Sequence, residues 1–227
     1  VSAREEALSA DSGAQEAELD RLLSSTDYAA VSARVERALG GADDEMRLRI
    51  LNWLALKQSH GQTDSVYIAQ LYAVGLVAMA THAQEPARTQ WLTDAVAAYD
   101  RTFIVLLSEG GQCADPIAVD SRIGEVEHTL NFIKPVLAHM SPADRDATAR
   151  RALVLATLSF RNRYPDDWLC RARGGGPAKF RPYEVWGPQY DAALHSVAKG
   201  MLHDGAPTKP TPAGLLRKNP DIVPLYG

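Results

Sequence analysis

Helix-starting and helix-stopping residues alternate at short intervals along residues 1–160, and no stretch of useful length alternates apolar and polar residues as a strand would. Residues 14–24 and 27–39 are built from strong helix formers, and Gly40-Gly41 stops the second run. Asp43-Asp44-Glu45 places acids in the first turn of a helix, where they complement the positive end of the dipole. Its apolar face carries Leu48, Leu51, Leu54 and Ala55, and it ends near His60-Gly61. Thr63 or Asp64 caps an apolar helix over 65–82. Pro86 suits the first turn of the next helix, which passes Trp91, Ala95 and Tyr99 and stops at Gly110-Gly111.

The clearest periodicity follows. Val119, Ile123, Val126, Leu130, Ile133, Leu137 and Met140 alternate spacings of four and three residues, a seam along one helix face. Pro135 lies inside that seam and predicts a kink, because its ring removes a backbone donor and crowds the preceding turn. Ser141-Pro142-Ala143-Asp144 starts a helix that runs to about Arg161 and is ended by Tyr164-Pro165, and a last helix spans about Pro188–His203. The fold class is therefore all-α: an antiparallel helical bundle or a short α-solenoid of seven to eight helices with an irregular C-terminal extension. Residues 65–107 resemble one helix–turn–helix unit of the tetratricopeptide kind through Leu71, Gly75, Ala87 and Trp91; no second unit follows at the family's spacing of about 34 residues.

Charge divides the chain. Residues 1–160 hold 14 Lys+Arg and 22 Asp+Glu, whereas 161–227 hold 10 and 6, so the formal net charge of −4 hides −8 on a helical body and +4 on an extension. Nine of the 13 prolines lie after residue 160. So proline-rich a stretch could hardly build a core of its own, which predicts one helical domain over 1–203, with its body at 1–160 and a basic, aromatic extension at 161–203. Five prolines after Asp204 then predict an extended tail, 204–227, packed on the body.

These figures exclude several classes. An acidic total argues against a nucleic-acid binder, because phosphate affinity comes from surplus Lys and Arg. The most apolar run, Val66 to Ala80, is 15 residues long and is interrupted by Gln70, so it reads as a core helix and not as a membrane span of about 20 residues. The start at Val1 in place of Met fits an exported protein and a shortened chain equally well.

Motifs for catalysis are missing. The sequence holds no Gly-x-Ser-x-Gly, His-Glu-x-x-His, phosphate loop or dinucleotide fingerprint, so no catalytic residue, metal ligand or cofactor is assigned. His60, His82, His139 and His203 each fall in a last helical turn, where an imidazole meets unpaired carbonyls. His128 and His195 fall mid-helix. Glu125-x-x-His128 has the spacing used in di-iron bundles, but such a site needs a second copy of the motif and two more carboxylates, and this chain has no second copy.

Cys113 and Cys170 are the only cysteines, and both fall in loops, Cys113 after Gly110-Gly111 and Cys170 after the Asp166-Asp167-Trp168 turn. Their placement predicts a disulfide tying the extension to the body, with two unrelated thiols as the alternative. A disulfide implies an oxidising compartment, hence a periplasmic or secreted protein, with the cytoplasm as the alternative.

The extension carries the binding candidates. Trp168, Arg171, Arg173, Lys179, Arg181, Tyr183 and Trp186 surround Gly174-Gly175-Gly176. Arginines supply forked donors and aromatics supply rigid contact area, a combination suited to an acidic protein surface. The competing reading is a cover loop whose aromatics anchor it and whose arginines pair with the acidic body. Together these features predict a non-enzymatic protein-binding protein of a bacterial envelope, of the inhibitor or immunity type, with another protein as its partner. Arginine outnumbers lysine 18 to 6, which suits a GC-rich bacterial genome. The alternatives are an enzyme or small-ligand receptor with a site between helices, where Glu125, His128 and His195 are the residues to inspect, and a repeat-like scaffold. The sequence leaves oligomeric state open.

Overall fold

A computed structural model of the chain describes residues 3–59, 65–159, 166–172 and 176–201. The tail expected at 204–227 lies outside the described residues, as do His60, His203, Arg173 and Gly174-Gly175. Among the described residues there are ten α-helices: α1 (Ala3–Ser24), α2 (Tyr28–Gly40), α3 (Asp44–Ser59), α4 (Ser65–His82), α5 (Ala87–Glu109), α6 (Pro116–Thr129), α7 (Lys134–His139), α8 (Pro142–Ser159), α9 (Asp167–Cys170) and α10 (Tyr183–Met201). Two 3-10 turns, Gly110–Gln112 and Asn131–Ile133, complete the backbone. The all-α class is as the periodicity predicted, with two helices more than the upper figure of eight.

One extra helix comes from the seam. Its side chains do turn inward: Val126, Leu130 and Ile133 are buried, and Val119, Ile123, Leu137 and Met140 pack against the core. The backbone, however, breaks a full turn before Pro135. Without an N–H at Pro135 the Asn131 carbonyl has no helical donor, and the ring would crowd it. Leu130 leaves helical geometry (φ −96°, ψ 12°), and the Ile133 amide bonds back to the Leu130 carbonyl at 3.0 Å in the 3-10 turn. Pro135 then sits in the first turn of α7, where a missing donor costs nothing. The other extra helix, α9, is a single turn capped by Asp166, whose carboxylate accepts from the Leu169 amide at 2.8 Å.

Helix α10 begins five residues earlier than Pro188 predicted, so Pro188 lies inside it. The first turn closes on the Pro182 carbonyl, which accepts from the Val185 amide at 2.9 Å. Gly187 makes this start feasible. The Tyr183 ring lies over it, and a Cβ at 187 would fall 2.8 Å from Tyr183 Cζ.

Helix α5 is the centre of the bundle. It packs most extensively on α4 and α8, then on α10, and also meets α7. In a solenoid each unit touches only its sequence neighbours. Contacts from α5 to α8 and α10 therefore decide between the two architectures in favour of a bundle. Ala95, Val96, Ile104, Val105 and Leu106 are buried on it, facing Leu71, Ala73 and Leu76 of α4 and Leu153 and Val154 of α8 in one continuous core. Helices α1 to α3 extend that core through Leu19, Val31, Val35 and Leu54. Polar ties lock them: Trp53 Nε1 donates to Asp20 at 2.8 Å, and Tyr67 of α4 donates to the Tyr28 carbonyl at 2.6 Å. Among the described residues no helix is long and apolar enough to cross a membrane.

Candidate functional site

Cys113 and Cys170 are joined in a disulfide, with their Cα atoms 4.9 Å apart. Both are buried, Cys113 just beyond the 3-10 turn that follows α5 and Cys170 at the end of α9. Around the bond the extension is attached to the body by a chain of buried polar groups. Asp166, fully buried, accepts from the Val66 amide at 3.0 Å and so caps α4 as well as α9. Its own amide donates to Gln112 Oε1 at 3.0 Å, and Gln112 Nε2 donates to the buried Glu109 at 3.2 Å.

Six of the seven binding candidates lie among the described residues, and they separate into two groups. Trp168 is only 2% exposed. The Arg122 guanidinium of α6 lies 4.4 Å from its ring centroid, and Arg122 Nε donates to its carbonyl at 2.9 Å. Tyr67 packs on the ring at 5.6 Å. Arg171 is bound beside it: its guanidinium meets Asp167 at 2.5 Å and Thr26 Oγ1 at 2.9 Å, and lies near the Tyr28 ring. These two residues hold the extension down, as in the cover-loop reading. Asp167, which pairs with Arg171, belongs to the extension itself. Arg173 lies outside the described residues.

Lys179, Arg181, Tyr183 and Trp186 form the second group, on a rib at 176–186. The rib is fixed to the body by two backbone bonds on either side of the disulfide: the Ala114 amide donates to the Lys179 carbonyl at 2.9 Å, and the Arg181 amide donates to the Gln112 carbonyl at 2.7 Å. These make Cys113 and Phe180 an isolated antiparallel bridge. Tyr183 is 59% exposed and Trp186 half-buried, with their rings edge to face at 5.1 Å. Phe180 and Val185, 39% and 48% exposed, belong to the same rib. A cleft of about 410 Å³ flanks it, lined by Ala114, Asp115, Pro116, Ala172, Pro177 and Lys179. Val185 carried no sequence signal, since a lone valine in a basic segment has no pattern to join. Arg122 was equally silent, because its partner Trp168 lies 46 residues away.

The mid-helix histidine reading is corrected for His128. Because α6 ends at Thr129, His128 falls in its last turn, where it is exposed, and Glu125 beside it pairs with Arg122 at 2.5 Å. The side chain of His195 lies outside the described residues. His139 does fall in the last turn of α7, with Nδ1 2.7 Å from the Pro135 oxygen one turn back. Among the described residues no cluster of three or more His, Cys, Asp or Glu side chains is placed to hold a metal ion. No family model, curated protein or solved structure matches the chain.

Proposed function

We propose that the chain is a protein-recognition domain of an oxidising compartment, most simply a bacterial envelope, and that it docks an acidic protein surface on the 176–186 rib. One observation carries this reading: Phe180, Tyr183 and Val185 are exposed on a segment tied to the body by two backbone bonds that flank Cys113 of the disulfide. Exposed aromatics on a mobile loop would lose contact energy to ordering, whereas a fixed rib presents them at little entropic cost. Lys179 and Arg181 against Glu184 leave the rib with one surplus positive charge, which favours an acidic partner. The disulfide supports the compartment, since such bonds persist where glutathione does not reduce them.

The test is capture from the envelope fraction of the source organism by wild type and by Lys179→Glu/Arg181→Glu/Tyr183→Ala. Arg171 and Trp168 are left intact because they hold the extension in place. The reading expects an acidic protein retained by wild type and depleted about tenfold or more by the variant, with unchanged helicity. Equal capture by both proteins removes the rib from the argument.

A further inference from the structure

The rib bonds to the body along one edge. The Ala114 amide donates to the Lys179 carbonyl and the Arg181 amide to the Gln112 carbonyl, and these two bonds bracket the facing residues Cys113 and Phe180. In an antiparallel ladder a residue bracketed in this way makes no bond to its opposite number, and its N–H and C=O point to the far edge of its strand. That far edge is open at Phe180. Among the described residues neither its N–H nor its C=O is hydrogen-bonded, and Pro177, Lys179, Phe180 and Pro182 are all exposed. The edge is also short. The next carbonyl on it, that of Pro182, already accepts from the Val185 and Trp186 amides of α10, and a proline has no N–H to offer.

A donor and an acceptor on one residue match the two backbone groups of a single residue in a neighbouring antiparallel strand. Side chains alternate along a strand, so Lys179 and Arg181 lie on one face of the rib and Phe180 on the other. Lys179 and Arg181 are the only charged residues of 176–182. A strand added here would set one residue beside the Phe180 ring and each of its two neighbours beside a cation. We infer that the rib takes an extended segment of an acidic partner as an added strand, paired to Phe180 through its backbone, with an acid on either side of one apolar residue. This mode of docking rests on the rib reading above and specifies it: the partner is held by main-chain bonds as well as by charge. A helical segment closes its own main-chain bonds and gains nothing from the open pair at Phe180.

Amide NMR of isotope-labelled protein, titrated with the capped peptide Thr-Val-Glu-Val-Glu-Val-Thr, tests it. With its central valine opposite Phe180, the peptide sets one glutamate against Lys179 and the other against Arg181. Two N-methylated isomers share its side chains and charge: one is methylated at the central valine, whose amide faces Phe180, the other at the glutamate before it, whose amide faces away. The parent and glutamate-methylated peptides are expected to shift the Phe180 amide downfield, with saturation below about 5 mM, and the valine-methylated isomer to bind about tenfold or more weakly. Replacing both glutamates by glutamine is expected to weaken binding about threefold or more. Three outcomes overturn the added strand and leave the rib reading standing, since a folded acidic surface can still dock through side chains: equal binding of the two methylated isomers, shifts that leave Phe180 unmoved, or no saturable binding up to about 5 mM. Equal binding of the glutamate and glutamine peptides overturns the acidic partner in both.

Discussion

Asp166 joins two helices that lie a hundred residues apart in the chain, and its two oxygens do different work. One caps α9, a local contact; the other accepts from the first turn of α4. Removing both acceptors strands two amides that water does not reach, each worth about 1–3 kcal/mol when unsatisfied. Asp166→Ala should therefore lower unfolding free energy by about 3 kcal/mol in urea titration, with Asp166→Asn losing less because one oxygen remains. Asp100 predicts a pH effect of opposite origin. It is buried on α5, and desolvation pushes its carboxyl up from the ordinary value to about 7. The Thr148 hydroxyl offsets part of that, although its one proton is shared with the Arg145 carbonyl. Folding raises this pKa, so the native state holds the proton more tightly than the unfolded chain does. The contribution of Asp100 is most favourable below about pH 4 and declines as pH rises towards about 7, by at most about 4 kcal/mol. Asp100→Asn should remove that decline, so the stability difference between variant and wild type should grow with pH across this window and then level off. A difference independent of pH would show that Asp100 titrates normally. Neither residue was legible as more than a turn acid or a polar position on a helix, because both depend on distant segments that desolvate or complete them.

Elements were more legible than residues, since their signals are local. Gly40-Gly41, Ser141-Pro142 and the Pro86 turn all stand where the chain changes direction. The Ser141 hydroxyl accepts from the Asp144 amide at 3.2 Å, as its cap position predicted. The failures came where two local rules competed. Apolar spacing argued for one helix through 119–140 and Pro135 argued against it, and the backbone yielded upstream of the proline. Pro188 looked like a helix start, whereas the stack of Tyr183 on Gly187 let the helix begin before it. The cysteine pair was legible from count and loop position alone. Its contribution is chiefly to the unfolded chain: a sequence separation of 57 gives about 4 kcal/mol of loop-closure entropy. Cys113→Ser/Cys170→Ser should lose up to that amount. Amide exchange should accelerate first in 176–186, because the bonds of Ala114 and Arg181 lie directly beside the bridge. Uniform acceleration over the whole chain would argue that the rib is not separately clamped.

At the scale of the molecule, the division into an acidic body and a basic extension describes the sequence better than it describes the packing. Trp168, Leu169, Tyr190 and Leu194 of the extension lie in the same buried cluster as Trp53, Leu54 and Leu76 of the body. Helix α10 packs on α5 and α8, so the central helix contacts both halves. Charge and proline content register what the surface and backbone need; they carry little information on which apolar faces meet. A shared core predicts one unfolding unit. The four tryptophans make this measurable, since Trp53 and Trp91 report from the body and Trp168 and Trp186 from the extension. With the disulfide intact, helicity by circular dichroism and tryptophan fluorescence should follow one urea transition with a common midpoint. In a Trp53→Phe/Trp91→Phe protein, fluorescence then arises from the extension alone, and its midpoint should still coincide with that of helicity. An earlier fluorescence midpoint in that protein would mean that 166–201 docks as a separate unit. The docking contacts of Arg122, Asp166 and Tyr67 would then be an interface between two units and not part of one core.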